Sequence, residues 1–189
     1  LYAFCDQDDV WLPSKLNAAV ELLKEYDMRI PHLYGGRTMY VDQNLNTIHP
    51  SPLCVLPCGF RNALVQNFAG GNTMVFNLAA KRLLESAGIQ SVPVHDWWTY
   101  LLVSGAGGHV YYDQHHHILY RQHFNALIGS NSGFMSSLLS LISVARGSFV
   151  QHTDRHVAAL NQSRELLCPQ SKELLALFIR LRGGNFLQR

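Results

Sequence analysis

Three carboxylates fall within four residues near the start of this chain, in Phe4-Cys5-Asp6-Gln7-Asp8-Asp9-Val10-Trp11, directly after an apolar run. Leu1 to Cys5 reads as a short buried strand, because Leu, Tyr and Phe crowd a stretch too short for a helix, and the acids begin where that strand should end. In open α/β sheets, the loops that leave the carboxyl ends of strands are where ligands bind. Acids this close repel one another, so the loop calls for a positive neighbour. A divalent cation meets that need, since hard oxygen donors suit Mg2+ or Mn2+, which also take phosphate oxygens. The residues alone leave a plainer reading open, an acidic surface loop that caps the next helix.

The rest of the composition is that of a globular chain. At 189 residues it can hold one good core, or one domain with a helical appendage. A hydrophobic share of 48% with 15% charged residues argues against disorder. A net charge of +2 implies no broad nucleic-acid-binding surface. No apolar run approaches the ~20 residues needed to span a bilayer. Cys5, Cys54, Cys58 and Cys168 lack a paired CxxC spacing and read as reduced thiols, which suits a cytoplasmic setting. Cys54 and Cys58 with His49 match a zinc site only loosely.

Periodicity and turn residues lay out the elements. Pro13-Ser14 opens a helix that turns Leu16, Ala19, Val20 and Leu23 inward and Lys15, Glu21, Lys24 and Glu25 outward. Leu33-Tyr34 and Thr38 to Val41 read as a strand interrupted at Gly35-Gly36, and His49 to Arg61 as a loop with several turns. Asn62 to Asn67 reads as a short helical segment, Thr73 to Phe76 as a β-type run, and Leu78 to Ala87 as a helix closed by Gly88. A further helix starts at Asp96 and runs through Val103. His109 to Asp113 and Ile118 to Arg121 read as two strands around an exposed polar knot. The three histidines of that knot, His115 to His117, do not make a metal site, because alternate side chains of an extended chain face opposite ways. Beyond residue 129 the texture becomes helical, with stripes at Met135, Leu138, Leu139 and Ile142, at Val157, Leu160 and Leu167, and at Leu174, Leu175, Phe178 and Leu181.

Two stretches stand out chemically. Gly70 and Gly71 allow the backbone to come close to a ligand, or make a plain turn. Asp96 precedes Trp97 and Trp98 at a helix start; the acid reads as a cap or a reactive carboxylate, and the indoles as core or as rings for the apolar face of a sugar.

Taken together, Ala3-Phe4-Cys5-Asp6-Gln7-Asp8-Asp9-Val10-Trp11, Asn67-Phe68-Ala69-Gly70-Gly71-Asn72-Thr73-Met74, His95-Asp96-Trp97-Trp98 and Tyr120-Arg121-Gln122-His123 resemble, in order and approximate spacing, the blocks of family-2 glycosyltransferases. The likeness is to the bacterial rhamnosyltransferase-like branch and covers roughly the first two thirds of the chain. It implies an α/β fold of GT-A (nucleotide-diphospho-sugar transferase) type, a mixed sheet flanked by helices. It also implies that the first nucleotide-binding half precedes Leu1, that residues 1–129 form the catalytic C-terminal part of the domain, and that 130–189 form a helical extension. The family often has an acid near Gly36, which this chain lacks.

The resemblance implies an inverting sugar transfer in bacterial surface polysaccharide synthesis, O-antigen included. The donor is a nucleotide-diphosphate sugar, dTDP-rhamnose by the branch label, and the acceptor a glycan or lipid-linked glycan, without nucleic acid. Mn2+ or Mg2+ falls to Asp8, Asp9 and His123, donor contacts to Asp6, Gly70, Gly71 and Arg121, the catalytic base to Asp96, and acceptor contacts to His95, Trp97 and Trp98. The last helix, with Arg180 and Arg182, is a candidate for peripheral contact at the inner membrane face. The reading from another class is a non-catalytic nucleotide- or carbohydrate-binding fragment of such an enzyme.

Overall fold

A computed structural model describes residues 1–122 and 148–183. The described chain is α/β, built on a six-stranded mixed sheet in the order β1-β5-β3-β6-β2, with β4 added to β3. The strands are β1 (Tyr2–Ala3), β2 (Val10–Trp11), β3 (His32–Val41), β4 (Thr47–Pro50), β5 (Val75–Phe76) and β6 (His109–Arg121). The helices are α1 (Ser14–Leu23), α2 (Phe60–Ala63), α3 (Leu78–Ala87), α4 (His95–Gly105), α5 (Ser148–Gln162) and α6 (Pro169–Gly183). Among the described residues, only the β3–β6 pair is parallel and every other pairing is antiparallel.

Alternation along the strands decides which side each helix covers. Tyr34 and Val75 join Ala19 and Leu23 of α1 in a small cluster, while their neighbours Leu33 and Phe76 join the main core with α2, α3 and α4. Successive strand residues point to opposite faces, so the sheet lies between α1 and the larger helical layer. Helix α4 is the centre of that layer and is buried from Asp96 to Gly105. An apolar surface all round a helix has this consequence. Leu160 of α5, Leu167 and Leu175 of α6 belong to the same core as Trp97 and Trp98. Among the described residues, no helix is long and apolar enough to cross a membrane.

Several expectations change. β3 is continuous through Gly35 and Gly36, because Phe68 packs where a side chain would stand: a Cβ on Gly35 would lie 2.7 Å from the Phe68 ring. The expected break survives as register shifts against β6 at Gly36/Arg37 and Arg37/Met39. β6 is likewise one strand, and its polar knot is held rather than looped out. Asp113 accepts from Tyr34 Oη at 2.7 Å and lies 3.0 Å from His115 Nδ1 and 3.1 Å from His117 Nε2. Helix α1 is rolled relative to its apolar stripe, with Lys15 buried and Leu16 and Val20 exposed. The expected boundary at 129/130 and the stripe from Met135 to Ile142 lie outside the described residues.

Candidate active site

The acidic residues Asp6 to Asp9 occupy the connection between β1 and β2, and β2 is pinned to β6 by the pairs Val10 with Leu119 and Trp11 with Ile118. The segment is therefore a strand-to-strand loop fastened at both ends, not the cap of α1, whose N-cap position is Pro13. Facing it is a tight 3-10 turn at Gly71–Thr73, and beyond that the first turn of α4 with His95 and Asp96. These three pieces border one cleft of about 560 Å³, lined on this side by Asp6, Gly70, Gly71, Asn72, His95 and Asp96. Tyr40, Phe68, Tyr112 and Tyr120 also line it.

Hydrogen bonds from the turn tie the walls together. Gly71 N donates to Asp96 Oδ2 at 2.9 Å, and Trp97 N donates to Asp96 Oδ1 at 2.5 Å. The Asn72 side-chain amide donates to Asp9 Oδ2, and Asn72 O accepts from Lys15 Nζ at 2.6 Å. Thr73 Oγ1 donates to Gly70 O at 2.7 Å and accepts from Gly36 N at 3.2 Å. Arg121 closes the far side: its Nε donates to Asp8 O at 3.1 Å, its Nη1 to Gln43 O at 2.5 Å, and its backbone N to Asp9 Oδ1 at 3.4 Å.

The charges follow from this packing. Burial raises the Asp9 carboxyl, and the nearby Asp6 and Asp8 raise it further, against the lowering donors Asn72 and Arg121 N–H. Lys15 is only 1% exposed, with its ammonium 3.3 Å from the Trp11 ring centroid. Burial brings its amine down to about 8, while Cys5, Asp9 and Asp6 oppose the fall. Positive charge thus reaches the acidic loop from beneath, through a lysine whose place in the helical period pointed to solvent.

Of the residues expected at a site, Asp6, Gly70, Gly71, His95 and Asp96 share the cleft. Asp8 and Asp9 do not line it, and both oxygens of Asp9 accept bonds from the protein. Arg121 spends its guanidinium on main-chain carbonyls. Trp97 and Trp98 correct the acceptor reading: both are buried, and Trp97 Nε1 donates to Ala63 O at 2.7 Å, so neither ring faces the cleft. The rings that do line it are Tyr40 and Tyr112, which lay in no motif, and Phe68 and Tyr120, which lay in motif blocks without being read as cleft rings. His123 lies outside the described residues.

No family model, curated protein or solved structure matches this chain. The chemistry of the site therefore rests on its own geometry. Among the described residues no three His, Cys, Asp or Glu side chains converge as a ligand set. The donor chemistry still fits a hard cation, because Mg2+ and Mn2+ take one or two carboxylates and fill their remaining positions with water and phosphate oxygens. Asp6 is the carboxylate of the triplet that lines the cleft.

Proposed function

We propose that this protein transfers a sugar from a nucleotide-diphosphate donor to a hydroxyl acceptor, with inversion at the anomeric carbon, on a sheet of GT-A type. The common cleft carries the reading: an acid from the β1–β2 loop, a turn opened by Gly70 and Gly71 and a carboxylate at a helix start border one cavity. A reaction that joins a diphosphate donor to a hydroxyl needs these groups within one substrate's reach. A volume of about 560 Å³ suits a small-molecule site.

Asp96 is the base. Its two oxygens accept from Gly71 N and Trp97 N, which fixes the plane of the carboxylate, and each oxygen keeps a further lone pair for a hydroxyl in the cleft. The acceptor proton passes to Asp96 as the new C–O bond forms, when the hydroxyl is becoming acidic. Attack opposite the leaving diphosphate inverts the sugar. Tyr40, Tyr112 and Tyr120 offer rings to the sugar faces, with hydroxyls for polar contact. At the donor end Asp6, with substrate phosphates and water, would hold Mn2+ or Mg2+, and the cation supplies charge stabilisation for the departing diphosphate. Asn72, Lys15 and Arg121 keep the acidic loop in shape. The acceptor is a glycan or lipid-linked glycan of a bacterial surface polysaccharide.

Replacing Asp96 by Asn tests the reading in a transfer assay with a panel of nucleotide sugars and Mn2+. The variant keeps the side chain's shape and loses the base, so transfer falls by about 100-fold or more while nucleotide binding stays. Comparable transfer by Asp96→Asn removes the assigned base. Nucleotide binding by the wild type without transfer of any sugar supports the binding-module reading instead.

A further inference from the structure

The segment from Ser51 to Gly59 carries two thiols that the sugar-transfer reading does not use. Cys54 Sγ and Cys58 Sγ lie 4.0 Å apart. Both are free, partly buried and packed against the main core. The segment is held at both ends: Ser51 N donates to Thr38 O at 2.8 Å, Ser51 Oγ accepts from Thr38 N at 3.1 Å, and Gly59 N donates to Tyr100 Oη at 2.9 Å. Between these anchors the chain bulges outward, with Val55 81% and Leu56 54% exposed. Reagents in solution can therefore approach the bulge, while its fixed ends keep the two sulfurs together.

A disulfide needs sulfurs about 2 Å apart, so closing this pair asks for an adjustment of about 2 Å within a five-residue stretch. The alternative of a metal clip lacks ligands. The ring of His49 is edge-on to Tyr40 with its Nδ1 beside Pro50 O, and no third ligating side chain converges among the described residues.

We propose that Cys54 and Cys58 form a dithiol–disulfide site that exchanges with low-molecular-weight disulfides such as oxidised glutathione. The Cys54 thiolate attacks one sulfur of the oxidant, whose S–S bond breaks and releases one glutathione thiol. The Cys58 sulfur, having given up its proton, then attacks Cys54 in the mixed disulfide and releases the second. Two protein thiols lose two electrons and two protons in total, and one oxidised glutathione becomes two reduced molecules. Cys58 reacts second, because burial, reinforced by Cys54 beside it, pushes its thiol up to about 12. The bond would stiffen one wall of the cleft, since Ser51 and Pro52 line it.

The test equilibrates the folded protein with graded ratios of oxidised to reduced glutathione, quenches with an alkylating reagent, and reads intact mass and linked peptides. The expected product carries two alkyl groups where the reduced protein carries four, links Cys54 to Cys58, leaves Cys5 and Cys168 alkylated, and reverts with dithiothreitol. Cys58→Ser should trap glutathione on Cys54, and Cys54→Ser should leave this segment unglutathionylated. Glutathione on Cys58 in the Cys54→Ser variant, or stable mixed disulfides on both sulfurs with no linked peptide in the wild type, overturns the proposal.

Discussion

Gly71 has no room for a side chain. A Cβ there would stand 2.7 Å from His95 Nε2 and 3.2 Å from Asp96 Cβ, so the turn and the head of α4 are in contact through bare backbone. Gly71→Ala makes the exposed His95 ring swing aside and eases the turn a few tenths of an ångström from Asp96 Cβ, which lengthens the Gly71 N–H bond to Asp96. The expected cost is about 1–3 kcal/mol in urea unfolding, with a larger proportional loss of transfer than of nucleotide binding. Lys15 and Asn72 show what a sequence hides at this scale. The helical period gives each residue a direction relative to its own helix only, and Lys15 turns inward because Asn72 O, distant in sequence, and the Trp11 ring, four residues before it, receive its ammonium. Gly70-Gly71 could be read as a place of close approach; which groups approach it could not.

At the scale of single elements, α3 and α5 each depend on one polar residue. Asn77 is fully buried at the N-cap of α3, where its Oδ1 accepts from Ala80 N at 2.9 Å and His32 N at 3.1 Å, and its amide donates to Ile30 O at 2.7 Å. Asn77→Ala removes the cap and orphans a buried N–H of β3, for a loss of about 3 kcal/mol in thermal or urea unfolding. In α5, His156 packs 4.9 Å from the Trp97 ring, and neither ring nitrogen has a hydrogen-bond partner among the described residues. Burial, with His152 adding to it, brings its imidazole down from 6.5 to about 4. Between these values the unfolded chain binds the proton and the folded chain does not, so stability is complete above about pH 6.5 and falls as pH drops toward 4, by about 3 kcal/mol in all. Melting curves across that window should show the fall in the wild type, and a shallower one in His156→Leu. The elements themselves were legible where a local signal was clear, as for α3 from Leu78 to the stop at Gly88 and for α4 from Asp96 onward. They were misread where tertiary packing overrode local punctuation: Phe68 fills the space beside Gly35, and Tyr34 with two histidines satisfies Asp113, so both expected strand breaks close.

At the largest scale, among the described residues, the sheet has α1 on one face and α2 to α6 in the layer on the other, and the cleft opens where the β1–β2 loop, the glycine turn and α4 meet. Three blocks far apart in sequence supply its walls, and their order along the chain was the legible part. Their meeting, and the tyrosines of β3 and β6 that complete the cavity, depend on the parallel pairing of those strands, which no local pattern announces. The account stands on this cleft serving as a donor site that both Asp6 and Asp96 line. The direct measurement is calorimetric titration of UDP and dTDP, with and without Mn2+, into the wild type, Asp6→Ala and Asp96→Asn. The account predicts Mn2+-dependent binding of at least one nucleotide by the wild type, retained by Asp96→Asn and weakened about tenfold or more by Asp6→Ala. Binding that is absent from the wild type, or indifferent to Mn2+ and to Asp6, contradicts it.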